Sequence, residues 1–182
     1  MRNMRNRGRA VALALLCAGT LASAAQAGGT APPLEVHGSS ELPALLGTLA
    51  RGRPLVLHFC ATWCDACRAE LKKLQPRFAK LDARGVSLVL VWIDEEKSRP
   101  AIPKLIAKLR LGGLRSIVLD APEPAPVAKA LGEPAWGGAL PATFVYDVHQ
   151  VKLSSFLGRA DEGLLDDAID EALRRAAVPA AK

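Results

Sequence analysis

Apolar positions along the chain alternate between two spacings, and their order predicts the architecture. Residues 54–60 and 86–93 are nearly continuous apolar runs, as expected of strands covered on both faces. Between them Leu71, Leu74, Phe78 and Leu81 recur in steps of three and four, the buried stripe of a helix. Pro76 is expected to kink that helix and Gly85 to end it. Upstream, residues 34–36 suit a short edge strand. Ser39 or Ser40 is placed to cap a helix through Leu42, Leu45, Leu46 and Leu49 that stops at Gly52.

Downstream, residues 100–111 read as a helix capped by Ser98 and stopped by Gly112 and Gly113. Residues 117–119 form a short strand, and residues 127–131 a short helix after a proline-rich stretch. Residues 141–146 and 151–157 pair as an antiparallel hairpin. Asp161 caps a last helix whose shared face is Leu164, Leu165, Ala168, Ile169 and Leu173. This order gives an α/β fold, a central mixed sheet flanked by helices. The glutamate pair that follows Asp94 makes residues 94–96 read as a solvated strand end.

The first 27 residues stand apart. Four arginines and no acid precede an apolar run over residues 10–22, and Ala25 and Ala27 flank a position suited to cleavage. That is the three-part pattern of a secretory signal peptide, and the run is short for a membrane span. An uncleaved N-terminal anchor and a lipid-bearing Cys17 are the alternatives. Residues 28–38 read as a flexible lead-in, residues 39–177 as the folded domain and residues 178–182 as a tail.

Removing the leader changes the composition more than its length suggests. Of 182 residues 155 remain, with 20 basic and 18 acidic side chains, so the high sequence pI owes much to the leader. Nothing in that balance calls for a nucleic-acid partner. The remaining cysteines, Cys60, Cys64 and Cys67, fall within eight residues. An exported protein stapled by structural disulfides would carry more of them, better separated, so these three mark a site.

Cys64 and Cys67 form a CxxC motif where the strand over residues 54–60 gives way to a helix. Two sulfurs so spaced can close a small ring and reopen it, and the first gains acidity from the helix N-terminus. A CxxC alone also occurs in zinc sites; at a strand-to-helix junction within this element order it points to thiol–disulfide exchange.

Residues 59–71, spanning Phe59, Cys60, Ala61, Thr62, Trp63, Cys64, Asp65, Ala66 and Cys67, resemble the active-site segment of the exported TlpA/ResA-type proteins of the thioredoxin superfamily. Residues 140–147, from Leu140 through Pro141 to Asp147, resemble that group's cis-proline segment. The resemblance covers roughly residues 39–177 and implies a thioredoxin fold. It also implies Cys64 as the attacking cysteine, Cys67 as the resolving one, and Pro141 as a cis-proline beside them. In such a protein Leu140 presents backbone groups to a client strand, and Trp63 shields Cys64. Disulfide-containing client proteins and a membrane-bound thiol donor are the implied partners. A monomer needing no cofactor is expected, exported to the periplasm or another extracytoplasmic space. The implied work is reduction of client disulfides, of the cytochrome c or copper-site maturation kind.

The chain departs from that pattern at several positions. Cys60 replaces a bulky residue, His58 an acid or asparagine, and Ala66 a proline; the hairpin turn over residues 147–150 has no glycine. Asp65, between the sulfurs, disfavours a neighbouring thiolate and biases the pair toward reductant. His58 shares a strand face with Val56 and Cys60. It is either a proton partner for Cys67 or a hydrogen-bonded core residue. Cys60 is either a small core residue or a third thiol that could hold Cu(I) with Cys64 and Cys67. A disulfide-forming oxidant and a Cu(I) carrier are therefore the rival functions. Trp92 and Trp136 are assigned to packing.

Overall fold

The structure is a computed structural model that describes residues 34–177. The leader, the first part of the lead-in and the tail lie outside the described residues. Six strands form one sheet: β1 (Glu35–Gly38), β2 (Leu55–Cys60), β3 (Ser87–Trp92), β4 (Arg115–Asp120), β5 (Ala142–Tyr146) and β6 (Lys152–Leu157). Their spatial order is β1-β4-β3-β2-β5-β6. The first four run parallel, whereas β5 is antiparallel to both β2 and β6. Five helices cover the sheet: α1 (Leu42–Ala50), α2 (Asp65–Ala83), α3 (Ile102–Lys108), α4 (Pro124–Ala130) and α5 (Glu162–Ala177).

The two-residue period of each strand sorts its side chains between two cores. Val56 and Cys60 of β2 join Leu90, Trp92 and Val118 on the face packed by α2, α3 and α5. Leu55, Leu57 and Phe59 join Val89, Val91 and Phe144 on the face packed by α1 and α4. Every residue of β2 is buried, which explains why its sequence shows no polar alternation. Trp136 packs edge-on against Phe59 and Phe144 at 5.3 and 6.0 Å between ring centroids. Both reserved tryptophans are thus core residues, and each buried side chain of this size contributes about 2–3 kcal/mol of transfer energy.

Several element ends differ from the sequence expectation. The edge strand expected over residues 34–36 forms as Glu35–Gly38, parallel to β4, and so runs to the end of the stretch also read as a flexible lead-in. Neither Ser39 nor Ser40 caps α1; both lie in a 3₁₀ turn, Ser39–Glu41, and the Glu41 carboxylate accepts from the Gly38 N–H at 2.6 Å. The helix ends at Ala50, two residues before Gly52, because Arg51 takes the left-handed conformation and its N–H closes on the Gly47 carbonyl.

Ser98 likewise lies inside a 3₁₀ turn, Glu96–Ala101, and α3 starts only at Ile102. Pro100 lacks the N–H a longer helix would use, whereas Pro103 is tolerated in the first turn. Pro124 opens α4 for that same reason, so the helix starts three residues earlier than expected. Pro76 sits within α2, which is helical on both sides of it. The hairpin turn manages without glycine: Asp147 Oδ1 accepts from the N–H groups of His149 and Val151, both at 2.9 Å, and Gln150 takes the positive φ. Asp161 caps α5 as expected, accepting from Gly163 and Leu164.

Candidate active site

The site forms where β2 ends and α2 begins. Ala61, Thr62 and Trp63 carry the chain from the sheet to Cys64, the N-cap residue of α2. Cys64 has extended backbone, its carbonyl accepts from Arg68 N–H at 3.1 Å, and its Sγ accepts from the Cys67 N–H at 3.0 Å. Sulfur therefore takes the role that serine or aspartate oxygen plays at an ordinary helix start. Cys64 and Cys67 are joined in a disulfide with their Cα atoms 5.2 Å apart. Cys67 is 0% exposed and Cys64 only 8% exposed, both packed into the α2-side core.

Trp63 stands 61% exposed. The Leu140–Pro141 peptide is cis, and the Pro141 carbonyl accepts from Gly158 N–H at 2.9 Å, tying β5's start to the end of β6. Leu140 is half-buried against both cores. Because Phe59 pairs with Ala142 and Ala142 with Leu157, the starts and ends of β2, β5 and β6 meet at the CxxC end of the sheet. Leu157, at that end, and Leu164, in the first turn of α5, are exposed apolar residues.

Asp65, between the cysteines in sequence, does not act alone. Arg68, one turn on, forms an ion pair with its carboxylate. The cation offsets the penalty that Asp65 imposes on a Cys64 thiolate, so the bias toward reductant weakens. Ala66 packs against the α2-side core.

His58 is fully buried, and its Nδ1 lies 2.9 Å from Thr143 Oγ1 across the β2–β5 pairing. Burial depresses its pKa to about 4, so the ring is neutral at pH 7 and a weak proton acceptor for a thiol. Cys60 is a free, fully buried thiol, and burial together with the Asp94 charge pushes its pKa up. Among the described residues, no group of three or more His, Cys, Asp or Glu side chains is arranged to hold a metal ion.

Two acids are buried at this end of the fold: Glu70 was not singled out by sequence, and Asp94 was read as part of a solvated strand end. Asp94 is 1% exposed, not solvated: both its carboxylate oxygens lie 3.1 Å from the Thr62 N–H, and its Oδ1 also accepts the Thr62 hydroxyl. Glu70, one helical turn beyond Cys67, is 6% exposed; its Oε1 accepts from Ala160 N–H at 3.1 Å, and burial raises its pKa. An acid within the stripe that continues through Leu74 was the available signal for Glu70. Nothing in the sequence around Asp94 marks its burial.

A mixed sheet between two helical layers, with a CxxC disulfide at a helix start, defines a thioredoxin-like protein. Residues 27–153 match the AhpC/TSA family, and the chain belongs to that family. A stretch of 43 residues is 42% identical to the thiol-disulfide oxidoreductase ResA of Oceanobacillus iheyensis; it covers 24% of this chain and 22% of that relative. The chain thus aligns with only about a fifth of that protein's length. Among solved structures, a secreted Mycobacterium tuberculosis disulfide oxidoreductase homologous to E. coli DsbE superposes with a TM-score of 0.51 at 19% identity, covering 68% of this chain and 84% of that one. A DsbF homologue from Corynebacterium diphtheriae gives 0.52 at 22% identity, over 66% and 72% of the two chains. Likenesses of this degree establish the shared fold. Among the described residues, no helix is long and apolar enough to cross a membrane.

Proposed function

We propose that this chain is an exported thiol–disulfide oxidoreductase that reduces disulfides in client proteins. The observation that carries the reading is the Cys67 N–H, 3.0 Å from Cys64 Sγ. On reduction that N–H and the helix N-terminus remain in place to hold a thiolate at Cys64. The thiolate attacks one sulfur of a client disulfide, forming a Cys64–client bond and releasing the client's other sulfur as a thiolate. Cys67, deprotonated, then attacks Cys64 Sγ; the Cys64–Cys67 disulfide closes and the second client sulfur leaves. Two electrons pass from the pair to the client, and two protons complete its thiols.

The half-buried Leu140 and the exposed Trp63, Leu157 and Leu164 offer an apolar rim on which an extended client segment could rest. Pro141, in cis linkage to Leu140, would set the direction in which the Leu140 backbone meets the client. The three-part leader supports export, and a membrane-bound thiol donor would return the pair to its reduced form. Clients of the cytochrome c or copper-site maturation type are those implied by the resemblance of residues 59–71 and 140–147 to the TlpA/ResA-type segments.

One observation favours the opposite direction. The Arg68–Asp65 ion pair removes part of the charge that would make the couple reducing, which suits a disulfide-forming oxidant. Equilibration with glutathione separates the two. A couple well below the glutathione potential supports the reductant, and one near those of strong oxidants overturns it. Loss of insulin-disulfide turnover in Cys64→Ser tests the exchange chemistry itself.

A further inference from the structure

Thr62 has all three of its polar groups held, by side chains from two different elements. Its N–H and hydroxyl donate to Asp94, at the end of β3, and its carbonyl accepts from Arg68 Nη1 at 2.5 Å, in the first turn of α2. The carbonyl of Asp94 is in turn fixed by Arg99 Nε at 3.2 Å. Among the described residues no cation forms a salt bridge with the Asp94 carboxylate, although it is buried. An uncompensated buried charge is costly to keep, and a loop staple alone could use a neutral side chain. The charge lies beside the residue two positions before Cys64, and its field already opposes ionisation of the neighbouring thiol, Cys60.

We infer that Asp94 is a positioning residue which, through Thr62, fixes the approach to Cys64 and sets the acid strength of that thiol, with Arg68 acting in the opposite sense from the other side of Thr62. Asp94 opposes the thiolate, and the Thr62 hydroxyl, by hydrogen bonding to the carboxylate, moderates that opposition. Arg68 favours the thiolate. Other titratable side chains on or beside the elements that carry the pair are Asp65, Glu70 and Lys73 on α2, Cys60 and His58 on β2, and Arg159, between β6 and α5, whose charge with that of Lys73 acts on Glu70. None of them is altered in the variants below. The functional consequence rests on the exchange chemistry proposed above; the thiol's acid strength can be measured without it.

The test is the pH dependence of Cys64 alkylation in the fully reduced chain, with the adduct mapped by mass spectrometry. Asp94→Asn should move the midpoint to lower pH by roughly one unit. Thr62→Val, which strips the carboxylate of its hydroxyl partner, should move it upward, and Thr62→Ser should restore the wild-type value. The double variant Asp94→Asn/Thr62→Val should follow Asp94→Asn. An unchanged midpoint in Asp94→Asn, or shifts of the same sign in Asp94→Asn and Thr62→Val, would mean a loosened loop and overturn the inference. Should Asp94→Asn not fold, equal midpoints for Thr62→Val and Thr62→Ser overturn it as well. Should the variants show these shifts while the wild-type chain has no disulfide turnover, the proposed function is refuted and this inference stands.

Discussion

His58 and Thr143, 85 positions apart in sequence, meet at 2.9 Å because the antiparallel pairing of β2 with β5 sets them opposite each other. Burial holds the imidazole neutral, with its pKa lowered from 6.5 to about 4. In the unfolded chain the same ring takes a proton near pH 6.5, so between the two values the unfolded state binds more protons. Stability therefore falls as pH drops through that window, by up to about 3 kcal/mol at its acid end. Urea unfolding of the wild type at pH 7 and pH 5 should show the loss. A His58→Gln variant should lose markedly less.

Cys60 should behave as an inert thiol. It is fully buried and its ionisation is suppressed, so in the reduced native protein a thiol reagent should modify Cys64 first and Cys60 only after denaturant is added. Replacing Cys60 by serine buries a hydroxyl among apolar neighbours and should cost about 1–3 kcal/mol, read as a lower urea midpoint at an unchanged slope. Anaerobic titration with Cu(I) should give no stoichiometric binding that depends on Cys60.

Arg68 links the helix start to the loop before it. In Arg68→Ala the Asp65 carboxylate acts on Cys64 without its counter-charge, and the potential of the couple should move about 10–30 mV toward the reducing side. Because both partners are partly exposed, raising the salt concentration should shrink the difference between variant and wild type.

Glu70 carries a burial penalty that stability measurements can expose. Its pKa is raised above the ordinary carboxyl value, so the folded state binds the extra proton and its stability falls as pH rises from the unfolded value through the folded one. Glu70→Gln keeps an acceptor for the Ala160 N–H and removes the charge. At pH 7 it should be as stable as the wild type or about 1 kcal/mol more so, with a flatter pH dependence above the carboxyl range.

The sequence made the order of elements along the chain and the mixed sheet legible because β2 and α2 carry strong periodic signals and the CxxC lies at their junction; the order of strands within the sheet was not readable from it. Element ends were harder to read. Ser39, Ser40 and Ser98 have the chemistry of helix caps, but short 3₁₀ turns took those positions, and at the first of them Glu41 bonds the Gly38 N–H. Asp94 looked like surface because its neighbours Glu95 and Glu96 are charged. Only the packing of the Ala61–Trp63 loop onto the end of β3 brings it inside. Thr143 could not be connected to His58 without the strand register, and nothing in the sequence marks Arg68 as the residue whose fork reaches both Asp65 and the Thr62 carbonyl.

The central claim is that Cys64 is the sulfur that attacks and Cys67 the one that resolves. Reduced Cys67→Ala protein, incubated with a disulfide-bonded client and digested, tests it most directly by mass spectrometry. The account predicts a mixed disulfide mapped to Cys64, absent when Cys64 is also replaced by serine. A client bond found on Cys60, or no covalent adduct at all while wild-type protein turns over the same client, would contradict it.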